Sequence, residues 1–102
     1  MSATVTVARG NLYLSRTVCE SYFEGLDGIV LQRRADDLLV LPVRHAASGG
    51  YVLKYRNARG DRVVSAADFF RIHGLDDERE LQAPARWDRS AAALLVPGVF
   101  RN

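Results

Sequence analysis

The chain of 102 residues has one cysteine, Cys19, one lysine, Lys54, one tryptophan and three prolines. A lone cysteine excludes an intramolecular disulfide and leaves no cysteine pair for a structural zinc site. Stability then has to come from packing, with oligomerisation expected to help, and the simplest compartment is a reducing cytoplasm. Long apolar runs are also missing. The run at residues 38–43 contains Pro42 and is strand length, and no run approaches the roughly 20 residues that cross a bilayer. Residues 1–10 show no basic stretch followed by an apolar one, so neither a secretory signal nor a membrane role is expected. No sign of charge dominates. Lys and Arg total 14 against 12 Asp and Glu, for a formal net charge of +2. That balance excludes a polybasic tail and gives no strong nucleic-acid footprint. Abundant alanine and arginine fit a GC-rich bacterial genome.

What is present suffices for one core. Apolar residues make up 48% of the chain, so a single domain is expected over residues 1–102. The chain also repeats itself. Ala8-Arg9-Gly10 recurs as Ala58-Arg59-Gly60 at an offset of 50, Gly25-Leu26-Asp27 as Gly74-Leu75-Asp76 at 49, and Leu39-Val40-Leu41-Pro42 as Leu94-Leu95-Val96-Pro97 at 55. The last offset implies an inserted loop in the second copy. Alternation or β-rich composition marks strands over 4–7, 11–14, 29–32, 38–43, 51–56, 61–64, 81–87 and 91–96. In 51–56 it puts Tyr51, Leu53 and Tyr55 on one face. Thr17 with Glu20 has capping-box spacing, and Ser65 with Asp68 repeats it. Gly25 and Gly74 stand where a left-handed cap closes a helix. Each copy, about 4–43 and 51–99, reads as hairpin, short helix, hairpin, with 44–50 as linker. The expected fold class is mainly β with two short helices.

This order of β-turn-β, capped helix ending in Gly-Leu-Asp, and hairpin resembles the AbrB-type swapped-hairpin fold. Two such units in one chain resemble the MraZ-like arrangement. Ser15 and Ser65 stand where that family usually has proline, and its Asp-x-x-x-Arg signature is absent. The resemblance implies one compact barrel with interleaved hairpins, in a family whose members bind DNA as oligomeric transcription regulators or antitoxins.

The residues themselves offer one basic segment. From 44 to 62, Arg44, Lys54, Arg56, Arg59 and Arg62 stand against Asp61 alone. Arginine forks suit phosphate oxygens and guanine edges. Arg9 and Arg59 hold the same place in each repeat. The candidate nucleic-acid contacts are therefore Arg9, Arg16, Lys54, Arg56, Arg59 and Arg62, and Trp87 and Phe100 are candidate interface residues. Chemistry has less support. Neither His45 nor His73 is placed near Cys19 by any spacing, and two histidines without a motif make a poor metal site. Ser48-Gly49-Gly50 lacks the lysine of a phosphate loop. Asp76, Asp77, Glu78 and Glu80 against Arg79 read as a solvated loop. No catalytic residue, cofactor or metal is expected. Two readings remain: a DNA-binding regulator, or an accessory or assembly factor that binds protein and not DNA. A homo-oligomer suits both.

Overall fold

Val5 and Val7 are buried while Thr4 and Thr6 point the other way, the period-two pattern of a half-buried strand. That pattern governs most of the chain in the computed structural model, which describes residues 3–44 and 49–101. Strands β1 (Ala3–Ala8) and β2 (Asn11–Leu14) form a hairpin, followed by α1 (Arg16–Tyr22) and the hairpin β3 (Gly28–Arg34) with β4 (Asp37–Val43). The second half follows the same order. β5 (Tyr51–Val52) and β6 (Lys54–Tyr55) are one strand interrupted at Leu53; then come β7 (Arg62–Ser65), α2 (Ala67–Ile72), β8 (Glu80–Asp88) and β9 (Ala93–Val96). Most of the 44–50 linker, residues 45–48 with His45 among them, lies outside the described residues.

All pairings are antiparallel, in the order β5-β3-β4-β9-β8-β1-β2-β7-β6. Because β5 and β6 are joined through Leu53, the sheet bends back on itself as a nearly closed barrel. Closure removes most free edges, where unpaired backbone invites aggregation. The pairing has an approximate two-fold. β1·β2 matches β6·β7, β3·β4 matches β8·β9, and β1·β8 matches β5·β3. The axis passes between β2 and β7 and between β4 and β9, which pair like with like. The first hairpin of each half thus pairs with the second hairpin of the other.

The barrel interior holds Val5, Leu12, Leu14, Ile29, Leu38, Val40, Val64, Leu94 and Val96, all nearly inaccessible. Helices of seven and six residues are too short to persist alone. They are held by Val18, Cys19 and Phe23 from one side and Phe70 and Leu75 from the other. Each buried aliphatic or aromatic chain contributes about 1.5–3 kcal/mol.

The caps differ from the expected boxes. Ser15, not Thr17, starts α1: its Oγ accepts from Val18 N–H at 3.3 Å. Ala66 starts α2 with no side-chain cap, while Ser65 Oγ accepts from Lys54 Nζ at 3.0 Å and Asp68 accepts from Tyr51 Oη at 3.1 Å. Ser15 directly follows β2 and Ser65 ends β7, so the chain has turned into the helix before Thr17. Gly25, with φ of +76°, lies two residues past the C-cap Phe23 in a turn where Leu26 N donates to Phe23 O at 3.1 Å, while Gly74, with φ of +87°, directly follows the C-cap His73 as expected. Leu75 N donates to Phe70 O at 2.8 Å across the second of these.

Candidate nucleic-acid interface

The strand register assembles one outward row across five strands. Lys54 lies opposite Val63, Val63 opposite Tyr13, Tyr13 opposite Thr6, and Thr6 opposite Gln82. Cross-strand partners share a face, so these side chains line the outside of the barrel. At about 4.8 Å per strand the row is roughly 19 Å wide. Arg56 lies beside it, its guanidinium 4.8 Å from the Tyr13 ring centre. Asn11 Nδ2 donates to Tyr13 Oη at 3.2 Å and steadies that ring. Thr4, Thr6, Tyr13, Ser15, Arg56 and Asp61 surround a shallow depression of about 150 Å³ on this face.

The two hairpin turns flank the β2·β7 pair at opposite ends. Ala8 pairs with Asn11, so Arg9 and Gly10 form a two-residue turn with φ of +52° and +77°. Both residues in that region mark the twist-matched hairpin turn and leave Arg9 at an exposed tip. The second turn, 56–61, is longer and pinned by Asn57, whose Oδ1 accepts from Arg59 N at 3.0 Å and Asp61 N at 3.3 Å. Asp61 Oδ1 accepts from Arg16 N at 2.9 Å, which ties this turn to the start of α1. Hydrogen bonds from Asn57 first, then from the Arg16 backbone, hold the Asp61 carboxyl below the usual range.

Five of the six expected contacts lie on or around this face. Lys54 and Arg56 belong to no ion pair among the described residues, Lys54 resting on Ser65 and Arg56 on Tyr13. Arg9 pairs with Glu80 at 3.8 Å, Arg16 with Glu20 at 2.5 Å, and Arg59 with Asp61 at 3.6 Å. These arginines are 65–81% exposed in their side chains. Such exposed pairs are worth only about 0–1 kcal/mol and exchange readily for another anion. Arg62 departs from expectation. It is 8% exposed, points inward with Val64, and donates from Nη2 to the Leu53 carbonyl. Ala66 and Val64 are both buried, which sets the inward parity of β7 and carries Arg62 with it. Arg62 is therefore no surface contact. Tyr13, conversely, is a central residue of the face that the charge pattern did not single out. Its outward place follows from the alternation of 11–14.

Comparison with protein-family models, with curated proteins and with solved structures found no match.

The expected interface residues are engaged within the chain. Phe100 is 6% exposed and packs near Phe69, Phe70 and His73, with its N–H donating to Asp36 O at 2.9 Å. Its ring is used in the protein's own core and not left for another subunit. Trp87 is half-buried and stacks on Tyr22, centroids 5.1 Å apart and planes within 4°. Cys19 is buried, and burial pushes its thiol up to about 11, so it stays protonated at neutral pH. His73 packs on Phe69 at 4.6 Å. Among the described residues no group of three or more His, Cys, Asp or Glu is placed to hold a metal, and no helix is long and apolar enough to cross a membrane.

Proposed function

We propose that this chain is a non-catalytic bacterial nucleic-acid-binding module, an AbrB/MraZ-like regulator that uses the outer face of β6, β7, β2 and β1. The observation that carries the reading is the row Lys54–Val63–Tyr13–Thr6 with Arg56 beside it, bounded by the turns of Arg9 and Arg59. Lys54 and Arg56 are cations without a carboxylate partner among the described residues. Arg9, Arg16 and Arg59 are exposed and weakly paired. The approximate two-fold places the two arginine turns in related positions, which suits the repeating phosphates of a duplex. The interleaved hairpins and the two repeats support the family reading.

The test is fluorescence anisotropy with random duplex DNA at low salt. Wild type binds, and the double variant Lys54→Ala/Arg56→Ala, both positions being exposed, folds normally and binds at least tenfold more weakly. Equal affinity of the two proteins refutes the assignment of this face. A second reading is favoured by one observation: Arg9, Arg16 and Arg59 each already face a carboxylate, so three of the five cations are matched as the face stands. That balance fits an accessory or assembly factor with a protein partner, and absence of DNA binding at low salt selects it.

A further inference from the structure

At the offset of 50 that relates the two Ala-Arg-Gly turns, Leu12 and Arg62 hold equivalent places, as do Leu14 and Val64. Leu12 is 0% exposed and Arg62 is 8% exposed. A guanidinium therefore stands where the other half has a core leucine. The helices differ at the matching place. Cys19 N donates to Ser15 O at 3.0 Å and Phe70 N donates to Ala66 O at 3.1 Å, which makes Cys19 and Phe70 equivalent. Leu12 follows the Gly10 turn, and against that turn packs α2 of the other half, the helix that carries the large ring of Phe70. Arg62 is met instead by α1 of the other half, which offers only the thiol of Cys19 there, and a cleft of about 200 Å³ opens between α1, Tyr55 and the 56–61 turn. Its lining includes Arg16, Cys19, Phe23, Glu24, Tyr55 and Arg62.

Arg62 is incompletely satisfied. Nη2 donates to the Leu53 carbonyl, and the Tyr55 ring centre lies 4.0 Å from the guanidinium carbon. Nε is buried with no hydrogen-bond partner. Arg62 is also in no ion pair among the described residues. A cation so far from water, with neither counter-ion nor full hydrogen bonding, is costly. An ionised acceptor in the cleft meets both deficits, since charge-assisted bonds to guanidinium are the strong ones.

We propose that this cleft binds a small carboxylate, with Arg62 as the cation and Tyr55, 72% exposed, as the movable outer wall. A monoanion fits better than phosphate. Glu20 and Glu24 also line the cleft, and although Arg16 holds Glu20, the remaining negative charge opposes a dianion more strongly. The buried, unpartnered Nε–H can meet one carboxylate oxygen. The proposal does not rest on the nucleic-acid reading.

Arg62→Leu installs the residue that the other half uses, and replacing a buried ionic group by a hydrophobe is often neutral or stabilising. The experiment follows thermal unfolding of wild type and Arg62→Leu in sodium acetate, with sodium chloride at matched ionic strength and inorganic phosphate as the other probes. The Arg62 Nε–H resonance of ¹⁵N-labelled wild type is titrated in parallel. Acetate is expected to raise the wild-type Tm saturably and move that resonance downfield, while Arg62→Leu gains nothing over chloride. An equal gain in Arg62→Leu, an equal effect of phosphate, or a resonance that does not move overturns the proposal. If Arg62→Leu does not fold, the wild-type resonance titration decides alone.

Discussion

Gly10→Ala tests the contact between the first hairpin and the second helix. Gly10 has φ of +77°, and a Cβ built there lies 2.5 Å from Ala67 Cβ and 2.7 Å from Ala67 Cα. Ordinary carbon contacts are about 3.5–4.0 Å. The obstacle includes backbone, so relief requires α2 itself to move, although Ala66 N donates to Gly10 O at 2.9 Å and holds it there. Gly25 supplies the internal control: its φ is +76° and nothing lies within 4 Å of the added Cβ. Left-handed backbone alone costs an L-residue roughly 1–2 kcal/mol. Overpacking adds about 1–3 kcal/mol at Gly10 only. Gly25→Ala is therefore expected to lose about 1–2 kcal/mol and Gly10→Ala about 2–5 kcal/mol. For a domain near this size, 1 kcal/mol is roughly 4–8 °C of Tm. Urea and thermal unfolding of both variants measure the difference. Equal losses refute the close approach of hairpin and helix.

Phe100→Ala removes a ring that is 6% exposed and is expected to cost about 3–5 kcal/mol, read by urea unfolding; an unchanged stability with a changed mass in solution contradicts the packing described. Asp61 has a lowered pKa, so its hydrogen bonds contribute fully above its unfolded value near pH 4 and are lost as pH falls through the folded value. Asp61→Asn is therefore expected to show a shallower fall of Tm below roughly pH 4 than wild type, and parallel profiles contradict this. Cys19, buried with its thiol pushed up to about 11, is expected to resist iodoacetamide at pH 8 until urea unfolds the chain; rapid native alkylation, followed by mass spectrometry, contradicts its burial.

Much of the architecture was legible because local chemistry and fold agree. The period-two valines of 4–7, the Arg9-Gly10 turn and the Gly74 cap all stand near their sequence-based places. The helix starts were misplaced for a local reason. Several Ser, Thr, Asp and Glu cluster at 15–20 and 65–68, and only tertiary direction decides which hydroxyl meets a free amide. The strand expected over 51–56 breaks at Leu53, which is buried while Tyr55 is exposed, because its two ends pair with different strands. Arg62 was misread for the opposite reason. An arginine after a turn reads as solvated, and only its equivalence with Leu12 marks an interior position.

The central claim is that the Lys54–Tyr13 face meets a polyanion through five cations. The direct measurement is the salt dependence of duplex DNA affinity for wild type. If Arg9, Arg16, Lys54, Arg56 and Arg59 all meet phosphates, log K falls against log salt with a slope of about −4.5, roughly 500-fold between 50 and 200 mM. Lys54→Ala/Arg56→Ala is expected to flatten that slope by about 2. Absence of binding at low salt, or an affinity indifferent to salt, contradicts the account.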